Sequence, residues 1–128
     1  DAAEELRLLE YGQRLKLQER NVLAQAGASS GRWLFEQAGE GAAQALGIAR
    51  SGIRVGASAD LLELDPTHPA LLARNDDALL DSWLFAARGG AVRTVWRAGQ
   101  PVVRDGRHVD RARIAARFAG VLRSLLSK

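Results

Sequence analysis

Two strand-and-turn stretches decide how this chain reads. They are Gly52-Ile53-Arg54-Val55-Gly56-Ala57-Ser58-Ala59-Asp60-Leu61-Leu62-Glu63-Leu64-Asp65 and Val92-Arg93-Thr94-Val95-Trp96-Arg97-Ala98-Gly99-Gln100-Pro101-Val102-Val103-Arg104-Asp105-Gly106. In the first, Ile53 and Val55 alternate with polar residues. Leu61-Leu62-Glu63-Leu64 is then a short apolar run bounded by Asp60 and by Asp65-Pro66, which predicts a strand. In the second, residues 92–96 and 101–104 predict two strands joined by a turn containing Gly99. Asp105-Gly106 is a two-residue hairpin signal, because both residue types accept a positive φ. Pro101 has no N–H to give to a ladder and belongs at the first position of its strand or at an edge. The pattern predicts a handful of short strands, divided over more than one sheet, with unpaired edges.

Helices lie on either side. Residues 1–20 predict the first, with Asp1 as its cap and Glu4 completing a capping box. Leu8, Tyr11 and Leu15 recur at helical spacing, with Leu9 and Gly12 on the adjoining rows, so this face is expected to lie against something large. Gly12 costs stability in mid-helix, which points to the close approach of a neighbouring element. Charge alternates on the other side through Glu5, Arg7, Arg14 and Lys16. Residues 32–46 predict a second helix, with Ser29 or Ser30 as its cap and Gly47 as its stop. Its inward face would be Leu34, Ala38, Ala42 and Ala45, beside Gly41, and Trp33 and Phe35 anchor its start. Residues 67–75 read as an irregular connection. Asp76 or Asp77 then caps a helical stretch through Leu79, Leu80, Trp83 and Leu84, which Gly89-Gly90 breaks. Asp110 caps a last helix with the apolar face Ile114, Phe118, Val121, Leu122 and Leu125.

At 128 residues the chain is long enough for one modest domain with its own core. At 47% hydrophobic and 26% charged residues it has globular rather than disordered composition. No apolar run reaches the roughly 18 residues of a membrane span, and no basic start followed by an apolar stretch marks a signal peptide. With no cysteine, disulfides and thiolate metal sites are excluded. The chain contains no methionine and opens on Asp1, so it is expected to be a piece of a longer protein. The net charge is +3, but 18 basic residues stand against 15 acidic ones and are scattered. Only Arg111, Arg113 and Arg117, with Arg104 and Arg107 before them, form a local cluster. Aromatics are 5%, too few to interleave with a phosphate-binding stripe, so a solvated arginine-rich face is expected and no nucleic acid partner.

Chemistry-bearing motifs are sparse. Gly27-Ala28-Ser29-Ser30-Gly31 has the G-x-S-x-G form of a hydrolase nucleophile elbow, which needs a buried strand before it and a helix after it. The preceding Asn21-Val22-Leu23-Ala24-Gln25-Ala26 is not such a strand, so a helix cap in a turn is the reading. His68 and His108 are the only histidines, and neither sits in an H-x-H or H-E-x-x-H pattern; both read as surface residues. Asp76-Asp77 suits capping, and Asp60 is placed to accept backbone N–H bonds beside a tight turn. Gly39-Glu40-Gly41 lies inside a helix and lacks the third glycine of a phosphate loop. Trp33, Trp83 and Trp96 are expected as core or interface anchors. No catalytic, cofactor-binding or metal-binding residue is assigned.

Several stretches resemble a known family. The paired strand-and-turn segments look like the C-terminal tail of amidohydrolase-superfamily enzymes, whose G-x-x-A-D-L pattern stands here as Gly56-Ala57-Ser58-Ala59-Asp60-Leu61. Glu4-Glu5-Leu6-Arg7-Leu8-Leu9-Glu10-Tyr11-Gly12-Gln13-Arg14-Leu15 is similar to a helix of formimidoylglutamate deiminases. So are Trp33-Leu34-Phe35-Glu36, Gly41-Ala42-Ala43-Gln44-Ala45-Leu46-Gly47 and Asp81-Ser82-Trp83-Leu84-Phe85-Ala86.

The resemblance implies an α/β fold. Residues 1–50 would be the last helices of a TIM (β/α)8 barrel. Residues 51–109 would be strands of a small composite β-sandwich with an inserted helical stretch, and 110–128 a terminal helix. It implies a cytoplasmic, zinc-dependent parent enzyme converting N-formimidoyl-L-glutamate and water to N-formyl-L-glutamate and ammonia in histidine degradation, with the zinc ligands upstream of Asp1. Its partners would be the upstream barrel and N-terminal strands of the same protein, a small-molecule substrate and a second copy in a homodimer, with no membrane and no nucleic acid. Two other readings stand beside it: another deaminase of the superfamily acting on a purine, pyrimidine or guanidino compound, and a non-enzymatic basic interaction module.

Overall fold

The computed structural model describes residues 1–48 and 52–127. Helix α1 (Ala2–Leu17) starts where the Asp1 carboxylate accepts the Ala3 N–H at 3.0 Å. The Asp1 carbonyl takes the N–H groups of Glu4 and Glu5 at 3.0 and 3.1 Å. Glu4 thus joins the cap through its backbone and not through its carboxylate, so only the Asp1 half of the expected capping box forms. The helix stops at Gln18, which turns left-handed at φ 56°, short of the expected residue 20.

Helix α2 (Ser30–Leu46) is capped by Ser29, whose Oγ accepts the Arg32 N–H at 2.9 Å. It ends at Gly47 with φ 63°, where the Ile48 N–H reaches the Ala43 carbonyl at 3.1 Å, a Schellman-type close. Helix α3 (Asp76–Phe85) has its cap position at Asn75, not at Asp76 or Asp77. The two aspartates occupy the first turn instead, where unsatisfied N–H groups favour negative charge. Helix α4 (Arg111–Leu126) begins after Asp110, whose carboxylate takes Arg113 rather than a backbone N–H.

Among the described residues the strands form one antiparallel sheet rather than several, in the order β1-β2-β3-β4: β1 (Leu61–Leu64), β2 (Val92–Arg97), β3 (Gln100–Arg104) and β4 (Arg107–His108). β1 pairs with β2 across the whole α3 insertion, with Leu62 opposite Val95. That long-range pairing closes the sheet, and local periodicity carries no trace of it. The Asp105-Gly106 turn forms as expected, with φ 48° and 70°, and joins β3 to the short β4. Pro101 is the second residue of an interior strand, opposite Trp96, beside a bulge between Val95 and Trp96; the bulge interrupts the ladder where an N–H is missing. Ile53 and Val55 form no strand and are fully exposed. The flanking Gly52 and Gly56 take φ of 117° and 84°, which breaks an extended run.

The core sits where the starts of α1 and α2 meet α3. Ala3, Leu34, Leu71, Trp83, Leu84, Ala87 and Ala91 are buried together, and Leu64 and Val92 bring the sheet to its margin. Gly31 makes the approach possible. A Cβ there would meet the backbone of Leu80 and Asp81 at 2.6–2.8 Å.

Two faces differ from expectation. On α1 the packed residues are Ala3, Arg7 and Glu10, while Leu8, Leu9 and Leu15 are exposed, Leu15 by 74%. Gly12 meets nothing within 4 Å in this chain. On α2 only the first half of the expected face packs. Leu34 is buried, but Ala38, Ala42 and Ala45 stay exposed, and Ala43 is buried instead. On α4 no described residue is buried at all.

Candidate functional site

What the fold assembles is a frame of buried polar side chains that holds backbone ends. Arg7 projects from the second turn of α1 onto the C-terminus of α3. Its Nε donates to the Leu84 carbonyl at 2.6 Å and its Nη2 to the Ala87 carbonyl at 2.9 Å. The Leu84 carbonyl is in the last turn of α3, where no further helical N–H is available, and Ala87 lies just past the helix; a cation suits that end of the helix dipole. One turn on, Glu10 is completely buried. It accepts Arg14 Nε at 2.7 Å and the N–H groups of Val22 and Leu23 at 3.0 and 3.2 Å, which ties the α1–α2 connection to α1. Burial alone pushes the Glu10 carboxyl up. The bonds from Arg14, Val22 and Leu23, with the Arg14 charge, outweigh it and hold the group below its ordinary value.

Arg14 also lies over two rings, 5.5 Å from the centre of Tyr11 and 5.3 Å from that of Phe85, which stack on each other. Asp81 closes the other side, accepting the Ser29 hydroxyl at 2.9 Å and the Gly31 N–H at 2.7 Å. Asp77 accepts from Arg32 across the same α2–α3 contact. No described buried side-chain nitrogen or oxygen lacks a partner.

The residues singled out by sequence fall outside any reactive grouping. Ser29 caps α2 and follows turns and bends, not a strand, so the nucleophile-elbow geometry does not form. Ser30 donates to the Asn21 side chain. His68 accepts the Ala70 N–H on Nδ1 at 3.2 Å, which leaves Nε2 to donate to the Gly89 carbonyl at 3.2 Å. It staples the 65–75 connection to the Gly89 turn. His108 accepts the Asp110 N–H at 3.1 Å on the exposed hairpin.

Asp60 does accept a backbone N–H, from Ala98 at 2.7 Å, together with the Ser58 hydroxyl at 2.8 Å. These bonds hold its carboxyl below the usual range. They lock the start of β1 to the β2–β3 turn. Gly39 and Gly41 lie within α2. Trp83 is in the core, whereas Trp33 and Trp96 are half-buried.

Among the described residues no group of three or more His, Cys, Asp or Glu side chains comes together to hold a metal ion. The donors present therefore do not fit a zinc site. A cleft of about 320 Å³ runs from Asp1 and Ala3 past Trp83 and Ala87 to Val95 and Val103. Its walls are largely aliphatic, so it can accommodate apolar side chains but offers no acid–base pair. No described helix is long and apolar enough to cross a membrane.

Sequence reasoning missed Arg7, Glu10 and Asp81. The available signal was the series Ala3, Arg7, Glu10 and Arg14, which repeats at alternating steps of four and three and marks one helix face. Its charged members read as solvated.

No family model matches the chain. Its sequence is 49% identical over 124 residues to the formimidoylglutamate deiminase of Pseudomonas aeruginosa, a match covering 96% of this chain. The chain resembles part of an amidohydrolase of the formimidoylglutamate deiminase type. It spans 27% of the length of that relative. Its fold superposes on the crystal structure of an amidohydrolase from Brucella melitensis with a TM-score of 0.86, at 43% identity, over 95% of this chain and 27% of that one. The mixed helix-and-antiparallel-sheet architecture is therefore shared with an amidohydrolase.

Proposed function

We propose that these residues are the C-terminal scaffold of a deiminase that hydrolyses N-formimidoyl-L-glutamate to N-formyl-L-glutamate and ammonia. In this reaction water supplies the formyl oxygen, and the terminal C–N bond of the formimidoyl group breaks. The observation that supports this reading most is the 49% identity to formimidoylglutamate deiminase across 96% of the chain. The open apolar faces of α1, α2 and α4 fit the same reading, since such surfaces suit packing against further structure.

Residues 1–50 would pack on the outside of a TIM barrel, 51–109 would join further strands in a composite β-sandwich, and 110–128 would close the fold. Zinc would be held by residues outside this chain. The enzyme would act in the cytoplasm as a homodimer. The role of these residues is positional: the polar frame fixes the angle of α1 on α3, and α1 in turn presents Leu8, Tyr11 and Leu15 to the barrel.

The test is an assay of the full-length protein with N-formimidoyl-L-glutamate, following ammonia and N-formyl-L-glutamate together. Equal release of both is expected. Ammonia from a purine, pyrimidine or guanidino compound, with none from N-formimidoyl-L-glutamate, would replace the substrate while keeping the class. Cooperative unfolding of the isolated 128-residue chain as a monomer would overturn the scaffold reading in favour of an independent module.

A further inference from the structure

We draw no further inference here: the strongest candidate, the exposed apolar face of the terminal helix α4 (Ile114, Phe118, Val121, Leu122 and Leu125) with Arg113 and Arg117 along it, is an unpartnered helix face, and nothing in the structure shows what covers it.

Discussion

Arg7 reaches across 77 residues of sequence to the Leu84 carbonyl, and the 2.6 Å bond between them sets how α1 lies on α3. The same guanidinium takes the Ala87 carbonyl at 2.9 Å, so one side chain closes the end of the helix. Arg7→Met keeps much of the volume but leaves two buried acceptors without a donor. Each such loss costs about 1–3 kcal/mol, so the full-length protein should lose about 2–6 kcal/mol in denaturant unfolding. Arg7→Lys should lose less, because an ammonium reaches one carbonyl but cannot span both. Equal stability of Arg7→Met and wild type would show that the clamp contributes nothing.

Glu10 makes this frame sensitive to acid in one direction. Its folded carboxyl lies below the ordinary value of 4.5, so its contribution is fully present above that pH and is lost as pH falls through the lower folded value. Glu10→Gln should therefore be less stable than wild type at neutral pH, with the difference shrinking below pH 4.5. Unfolding midpoints of the two proteins across an acid series would measure this. A constant gap down to the lowest pH would mean that the carboxylate charge is irrelevant.

The local features were the legible ones. Asp1, Ser29, Gly47, Asp60 and the Asp105-Gly106 turn behave as their residue types dictate, because capping and positive φ are settled within a few residues. Arg7 and Glu10 were not legible in the same way. Charged positions on a helix usually face water, and only the distant carbonyls of Leu84 and Ala87 and the Val22–Leu23 backbone give these two a reason to be buried. The single sheet escaped notice for a related reason: β1 meets β2 only after α3 has been inserted between them. The resemblance to formimidoylglutamate deiminases was legible in short runs such as Asp81-Ser82-Trp83-Leu84-Phe85-Ala86, and Trp83 and Leu84 of that run turn out to be core.

Ser29 separates a cap from a nucleophile. Ser29→Ala removes the acceptor for the Arg32 N–H and the donor to Asp81, at a cost of about 0.5–2 kcal/mol. On the scaffold reading, turnover of the folded full-length protein should be unchanged. A thousandfold fall in kcat at intact stability would restore the elbow reading.

Two glycines make a paired test of packing. Gly31→Ala drives a Cβ into the backbone of Leu80 and Asp81, atoms that cannot swing aside, and should cost about 1–3 kcal/mol or more. Gly12→Ala meets nothing in this chain and on helix propensity alone should gain about 0.5–1 kcal/mol. In the full-length protein, where the scaffold reading puts a neighbour against Leu8, Tyr11 and Leu15, Gly12→Ala should destabilise instead. A gain in thermal stability there would place α1's outer face in solvent.

Leu34 and Leu15 extend that test to the proposed enzyme. Leu34 is 1% exposed, so Leu34→Asp loses about 2–5 kcal/mol of packing and adds an unpaired buried carboxylate, whatever surrounds the chain. Leu15 is 74% exposed, so within this chain Leu15→Asp should be nearly neutral. If α1 backs a barrel, Leu15→Asp should destabilise the full-length enzyme by several kcal/mol as well. On the proposed deiminase reading, with zinc held outside this chain, the fraction that remains folded should keep its zinc-to-protein ratio and its KM. Thermal unfolding, metal analysis and steady-state kinetics on the same preparations distinguish the outcomes. Unchanged stability of Leu15→Asp would remove the barrel from this face, and zinc loss without loss of stability would give α1 a direct part in the metal site.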